Sequence, residues 1–215
     1  MSVLEQLLPP PIAAVERYDD DEPVELFPEE EAQISNAVEK RRFEFGTVRA
    51  CAREAMRRLD VEPAPVLPGP KREPIWPADV VGSLTHCKGY RAAALARASD
   101  FETIGIDAEP HQPAPEGVLG AIAIEAELDR MAGLQAADPK ICWDRLLFSA
   151  KESTYKAWFP ITKLWLGFED ADITLGADGT FHSRILLPGS PIAGFDGRWL
   201  VQGDILVTSI AVPVA

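Results

Sequence analysis

Apolar positions along the chain follow two rhythms, one helical and one alternating. Ile34, Val38, Phe45, Val48, Ala52, Ala55, Met56 and Leu59 recur near helical spacing and predict a helix over 32–59. Lys40, Arg41, Arg42, Arg49 and Arg53 lie along it. The next stretch, EPAPVLPGPKREPIWP at 62–77, carries six prolines and reads as a connector. Three extended segments follow, at 80–86, 90–96 and 103–109, the first two joined by the hairpin signal Cys87-Lys88-Gly89. As a meander, the first and third strands run the same way, so His86 finishes at the same end as Asp107 and Glu109. Helical spacing returns over 118–135. It is stronger over 143–159, where Leu147, Ala150, Thr154, Ala157 and Trp158 form a core stripe that Pro160 is expected to end. The remainder alternates, with Asp178-Gly179 and Gly203-Asp204 as hairpin turns. Each half thus combines a substantial helix with a few antiparallel strands. The pattern predicts an α+β fold with a break near residue 100, giving subdomains 1–102 and 103–215.

Composition narrows the setting. At 215 residues, 47% apolar and 26% charged, the chain matches an ordinary globular protein. No stretch approaches the roughly 20 apolar residues that cross a bilayer. The opening MSVLEQLLPPP lacks a cationic region and a sufficient apolar run, so neither membrane insertion nor export is expected. Cys51, Cys87 and Cys142 show no metal-binding spacing and suit reduced thiols in a cytoplasmic protein. A net charge of −13 argues against general nucleic-acid binding. Part of it is local: YDDDEPVELFPEEE at 18–31 holds eight of the 34 acids and reads as a solvated loop.

The chemistry concentrates in two segments. In IGIDAEP (104–110), an extended backbone projects Asp107 and Glu109 to one side, where like charges repel unless neutralised. In FSAKESTYKAWFP (148–160), Glu152 and Lys156 are four apart and share a helix face, with Lys151 beside them. Three acids of this kind offer the oxygen ligands Mg²⁺ prefers and leave positions open for water and phosphate. The lysines, with Arg41, Arg42 and Arg49, suit phosphate charge. By pattern alone, a Mg²⁺-phosphate site and a solvated charged face fit equally well. His111 and His182 read as structural.

Taken together, VGSLTHCKGY, IGIDAEP and FSAKESTYKAWFP resemble the 4′-phosphopantetheinyl transferases of the surfactin- and enterobactin-synthase-activating type. That family shows a strand ending S-x-[ST]-H, then G-[IV]-D-x-E, then a helix with [FW]-[ST]-x-K-E-x-x-x-K. K-R-R-x-E-F at 40–45, leading to Arg49, adds a fourth block, and the matches reach from about residue 40 to 170. The resemblance implies a monomer of two similar subdomains, each a small antiparallel sheet with a long helix, and coenzyme A bound between them. The implied reaction moves the phosphopantetheine arm of coenzyme A to a serine of apo acyl or peptidyl carrier proteins and releases 3′,5′-ADP. Asp107, Glu109 and Glu152 are then the ligands of Mg²⁺, or of Mn²⁺. Glu152 is the general base and Lys156 the group serving the leaving nucleotide. Arg41, Arg49, Lys71, Ser83, Thr85, His86 and Lys151 bind the nucleotide and phosphates, with Arg42 an alternative to Arg41. Phe148, Tyr155 and Trp165 line a slot for the pantetheine arm. Relatives carry a basic residue slightly earlier in the connector, where VLPGPK offers only proline and glycine.

Rival readings are a Mg²⁺-dependent phosphohydrolase or nucleotidyl transferase using the same acids, and a non-catalytic binder of coenzyme A or carriers. The presence of both Glu152 and Lys156 counts against the binder. The trimeric, half-size holo-acyl-carrier-protein synthases are disfavoured by chain length. Carrier docking is expected on an apolar and basic surface beside 148–165, with the acidic residues 18–31 facing away.

Overall fold

The computed structural model describes residues 2–20 and 23–214, so Asp21 and Glu22 of the acidic run lie outside the described residues. The first half contains α1 (Val3–Leu7), β1 (Ala13–Arg17), α2 (Pro28–Gln33), α3 (Glu39–Arg58), the two-residue strands β2 (Leu67–Pro68) and β3 (Pro74–Ile75), then β4 (Val80–Cys87) and β5 (Tyr90–Arg97). Strands β1, β5 and β4 form an antiparallel sheet in that order. Helix α3 covers it, packing Cys51, Ala52, Ala55 and Met56 on Ala13, Val15, Ala93 and Leu95.

The second half contains β6 (Phe101–Pro110), α4 (Val118–Ile122), α5 (Glu125–Ala137), α6 (Trp143–Thr162), β7 (Ala171–Leu175), β8 (Thr180–Ile185), β9 (Gly194–Gln202) and β10 (Ile205–Pro213). Its five strands are antiparallel in the order β6-β10-β9-β8-β7. The core here is built on α6, whose Trp143, Leu146, Leu147, Ala150 and Trp158 meet Ile173, Phe181 and Leu206. The fold is α+β, and each half sets one 20-residue helix, α3 or α6, on its own antiparallel sheet.

Four local expectations are corrected. The helix foreseen over 32–59 is two: α2 ends at Gln33, and α3 begins after Val38, whose backbone is extended. Ser35 and Asn36 lie in the break, where side chains that compete for backbone hydrogen bonds favour turns. The stretch 118–135 likewise divides at Ala123-Ile124, where Glu127 accepts the Ile124 N–H at 2.9 Å and starts a new helix. Pro160 does not stop α6, which runs on to Thr162. The missing N–H costs only one bond in the last turn, and Lys163, left-handed at φ 57°, closes the helix by donating to the Phe159 carbonyl.

The fourth correction is topological. Strand β6 leaves β5 and joins the other sheet beside β10. It still runs alongside β4, but side chains stitch the seam: Ser83 Oγ accepts from the Ile106 amide at 3.1 Å, and Thr85 Oγ1 from that of Ala108 at 2.9 Å. Helix α6 holds β6 from the other side. A Cβ on Gly105 would stand 2.1 Å from the Ser153 carbonyl oxygen, and Thr103 Oγ1 donates to that of Ala157 at 2.9 Å. His86 and Asp107 therefore finish at the same end, as expected, across a junction of two sheets.

Candidate active site

That junction opens into a cleft of about 1000 Å³ between α3, the proline-rich connector and β4 on one side and α6 on the other. Eight of the sequence-predicted residues line it: Arg41, Arg49, Lys71, Ser83, His86, Glu152, Tyr155 and Lys156. Thr85, Asp107 and Glu109 stand behind Lys156, whose Nζ reaches Asp107 Oδ1 at 2.7 Å and the Ile106 carbonyl at 3.1 Å. Thr85 Oγ1 is 3.5 Å from the same carboxyl oxygen. The other oxygen of Asp107, Oδ2, is buried without a hydrogen-bond partner. Lys156 therefore serves Asp107 rather than Glu152, and the i,i+4 pair on α6 does not form.

Electrostatics follow from this crowding. Burial, then the charge of Asp107, raises the Glu152 carboxyl above its ordinary value against the pull of Lys156. Glu109 is raised for the same two reasons, with Arg145 opposing at 3.0 Å. His86 is pushed down, first by burial and then by Arg41, whose Nη1 lies 3.0 Å from its Nε2. An arginine can only donate, so His86 accepts there as a neutral imidazole. Burial brings Arg49 down to about 10; Glu30 opposes, and Arg41 and Arg53 add to the fall. Its guanidinium sits 3.6 Å over the Phe45 ring. Among the described residues, no three His, Cys, Asp or Glu side chains are close enough as they stand to grip a metal together.

Several expectations change. Lys151 is not brought to the cleft: it is 3% exposed, pairs with Glu127 at 2.9 Å and donates to the carbonyls of Phe168 and Ala171 at 2.6 and 2.8 Å. It lies four residues after Leu147 and seven before Trp158, on the apolar stripe, a signal present in the sequence. Phe148 packs on Phe168 in the C-terminal core, centroids 6.0 Å apart, and does not line the cleft. Trp165 is 66% exposed, its ring 5.3 Å from Tyr155 at the rim. Arg42 points away, to Glu31 and the Ile34 carbonyl, which leaves Arg41 as the cleft residue. His111 and His182 are structural in their contacts, His111 accepting from the Cys142 amide and His182 meeting Asp196.

The acidic run is no free loop. Glu30 is fully buried, pairs with Arg53 at 2.9 Å and accepts from the Val66 amide. Asp20 is bound by buried Arg91, which is paired with His86 in the β4–β5 register. This end of the run is therefore tied to β5 and is not free in solvent. Sequence reasoning missed Glu44, within 3.6–4.0 Å of Lys40, Arg41 and Arg91, and Arg145. For Arg145 the signal was its place two helical turns before Glu152.

Residues 29–96 match the model for the 4′-phosphopantetheinyl transferase N-terminal domain, and 103–205 that of the 4′-phosphopantetheinyl transferase superfamily. The chain belongs to this superfamily of transferases. It is 51% identical to 4′-phosphopantetheinyl transferase Svp of Streptomyces mobaraensis, over 89% of this chain and 81% of that one. It is 50% identical to 4′-phosphopantetheinyl transferase PptT of Mycobacterium tuberculosis, over 93% and 91%. Enterobactin synthase component D of Salmonella typhi is more distant, at 30% over 83% and 75%.

Proposed function

We propose that this enzyme transfers the 4′-phosphopantetheine arm of coenzyme A to a serine of apo acyl or peptidyl carrier proteins, with Mg²⁺, releasing 3′,5′-ADP, and that it works as a cytoplasmic monomer. The observation that carries the reading is the meeting of Arg41, Lys71 and His86 from residues 1–102 with Glu152 and Lys156 from residues 103–215 around one cleft. A cationic wall facing a carboxylate suits a polyphosphorylated nucleotide held on one side while a hydroxyl of a second substrate is deprotonated on the other.

In this reading the arginines, Lys71 and neutral His86 hold the nucleotide end, and Tyr155, with Trp165 behind it, borders the pantetheine arm. The serine oxygen attacks the phosphorus that bears the arm, and the bond from that phosphorus to the nucleotide's bridging oxygen breaks. Glu152 takes the serine proton, a role its raised carboxyl suits, and Lys156 places positive charge at the departing 3′,5′-ADP. By donor chemistry Asp107, Glu109 and Glu152 suit a hard divalent cation, although the three do not converge as they stand, and the orphaned Asp107 Oδ2 supports the reading. When bound, Mg²⁺ supplies charge neutralisation at the pyrophosphate. For the carrier we propose the exposed apolar rim of Ile161, Leu164 and Trp165 beside Lys163.

The test is intact-mass spectrometry of an apo carrier protein incubated with enzyme, coenzyme A and Mg²⁺. Gain of one phosphopantetheine, lost with chelator and lowered roughly 10²- to 10⁴-fold in rate by Glu152→Gln, is expected. Hydrolysis of coenzyme A without carrier modification would overturn the reading.

A further inference from the structure

Helix α6 presents Arg145, Glu152 and Lys156 along one face, spaced seven and four residues apart. The two carboxylates of β6 are divided between the two cations: Asp107 to Lys156 and Glu109 to Arg145. The cations are held very differently. Lys156 is 27% exposed in its side chain and stands at the cleft on a flexible stem with a single backbone partner, the Ile106 carbonyl at 3.1 Å, so it can swing into the cleft. Arg145 is only 12% exposed and is fixed by groups that have nothing to do with Glu109. Its Nε donates to the Gln112 carbonyl at 3.3 Å and its Nη2 to that of Pro113 at 3.1 Å, leaving Nη1 for Glu109 Oε2 at 3.0 Å.

We propose that Arg145 is a built-in counter-ion, a positioning residue that keeps Glu109 oriented and restrains how tightly the carboxylate group holds a divalent cation. The inference rests on the reading that these carboxylates bind the metal. An arriving cation can release Lys156 toward the cleft, but Arg145, anchored on two backbone carbonyls, stays against Glu109. Glu109 then shares its charge with a guanidinium, while Asp107, with its orphaned oxygen, and Glu152 bind undivided. Two effects point the same way: a fixed positive charge repels the incoming cation, and it occupies one ligand oxygen. A neighbour that merely orients a ligand behaves oppositely, since its loss typically weakens metal binding about 10- to 100-fold.

The sign of one measurement therefore decides. Mn²⁺ binding to the full chain without coenzyme A, followed by the electron paramagnetic resonance of free Mn²⁺, is expected to tighten roughly three- to tenfold in Arg145→Gln. Its thermal midpoint should fall below wild type without metal and approach it at saturating Mn²⁺. Unchanged or weakened Mn²⁺ binding in Arg145→Gln overturns the proposal. Should that variant fail to fold, Glu109→Gln serves: a loss smaller than about threefold is expected, against tenfold or more for Asp107→Asn and Glu152→Gln. Equal losses in all three overturn the proposal. Unchanged Mn²⁺ binding in Asp107→Asn overturns the metal reading itself, and the inference with it.

Discussion

Lys151 and Glu152 are neighbours in sequence with opposite fates, because one residue on a helix is a turn of about 100°. Glu152 faces the cleft, and Lys151 is buried with Glu127, which also accepts from the amides of Ile124 and Ile173. Breaking one side of such a buried pair leaves an uncompensated charge, so Lys151→Ala should cost about 3–5 kcal/mol of stability. Replacing both members with apolar residues should recover much of it, as urea unfolding would show. If Lys151 served phosphates instead, coenzyme A affinity would fall while stability held. The lysine thus marks where motif reading stopped. Glu152, Lys156, Asp107 and His86 were legible because local pattern carries their residue types and order. Which way each side chain points depends on what packs behind the helix, and Glu127, 24 positions away, appears in no motif. Arg145 was missed for the same reason, since Glu109, Gln112 and Pro113 lie outside α6. For Glu44 only Arg91 is distant, and its pairing with Lys40 and Arg41 within one turn of α3 was a local signal left unread.

The longer elements α3, α6 and β4 to β6 were legible from period, but α1 and β1, element ends and sheet membership were not. Hydrophobic spacing does not register that Ser35 and Asn36 interrupt α2 and α3, nor that β6 exchanges β5 for β10. The deciding contact for β6 is its approach to α6 at Gly105, where a Cβ would also lie 2.8 Å from the Ala157 amide nitrogen. Both obstructing atoms are backbone and cannot yield by changing rotamer. Gly105→Ala should therefore lift β6 from α6, at a cost of roughly 1–3 kcal/mol. Because that contact also sets Asp107 against Lys156 and Glu152, kcat should drop more than the KM for coenzyme A. A second element-level contact lies far from the cleft, where Asp172 of β7 binds Arg130 of α5 and, at 2.8 Å, Arg184 of β8. Burial works to raise its carboxyl, but the hydrogen bonds from Arg184 and Arg130 outweigh burial and hold it below the usual 3.8. A carboxyl lowered on folding stabilises above its unfolded value, and that stability is lost as pH falls through the ordinary carboxyl range toward the folded value. Asp172→Asn should be less stable than wild type at pH 7, by about 1.5–3 kcal/mol for a charged hydrogen bond lost. The gap should narrow below about pH 4, measured by urea midpoints at both pH values.

At the scale of the whole molecule, a chain of net charge −13 has to meet carrier proteins that are usually acidic themselves. Long-range repulsion then opposes encounter, and the docking surface has to overcome it locally. Asp20 and Glu30, bound inward by Arg91 and Arg53, contribute less to that field than their number suggests. The proposed rim, with Ile161 38%, Leu164 53% and Trp165 66% exposed, offers apolar area instead of an ion-pair lattice. The neighbouring cation Lys163 lies over the Phe159 ring at 5.5 Å. Salt separates the two ways of docking. From about 0.1 M to about 1 M it shortens the Debye length from about 10 to about 3 Å, weakening repulsion at a distance and leaving apolar contact intact. At saturating coenzyme A, the KM for the carrier should therefore fall as salt rises. Trp165→Ala should raise that KM roughly tenfold at every salt concentration, the loss of about 1.4 kcal/mol from one exposed aromatic anchor. A carrier KM that climbs with salt, with Trp165→Ala unchanged from wild type, would assign docking to lysine–carboxylate pairs and remove the apolar rim from the argument.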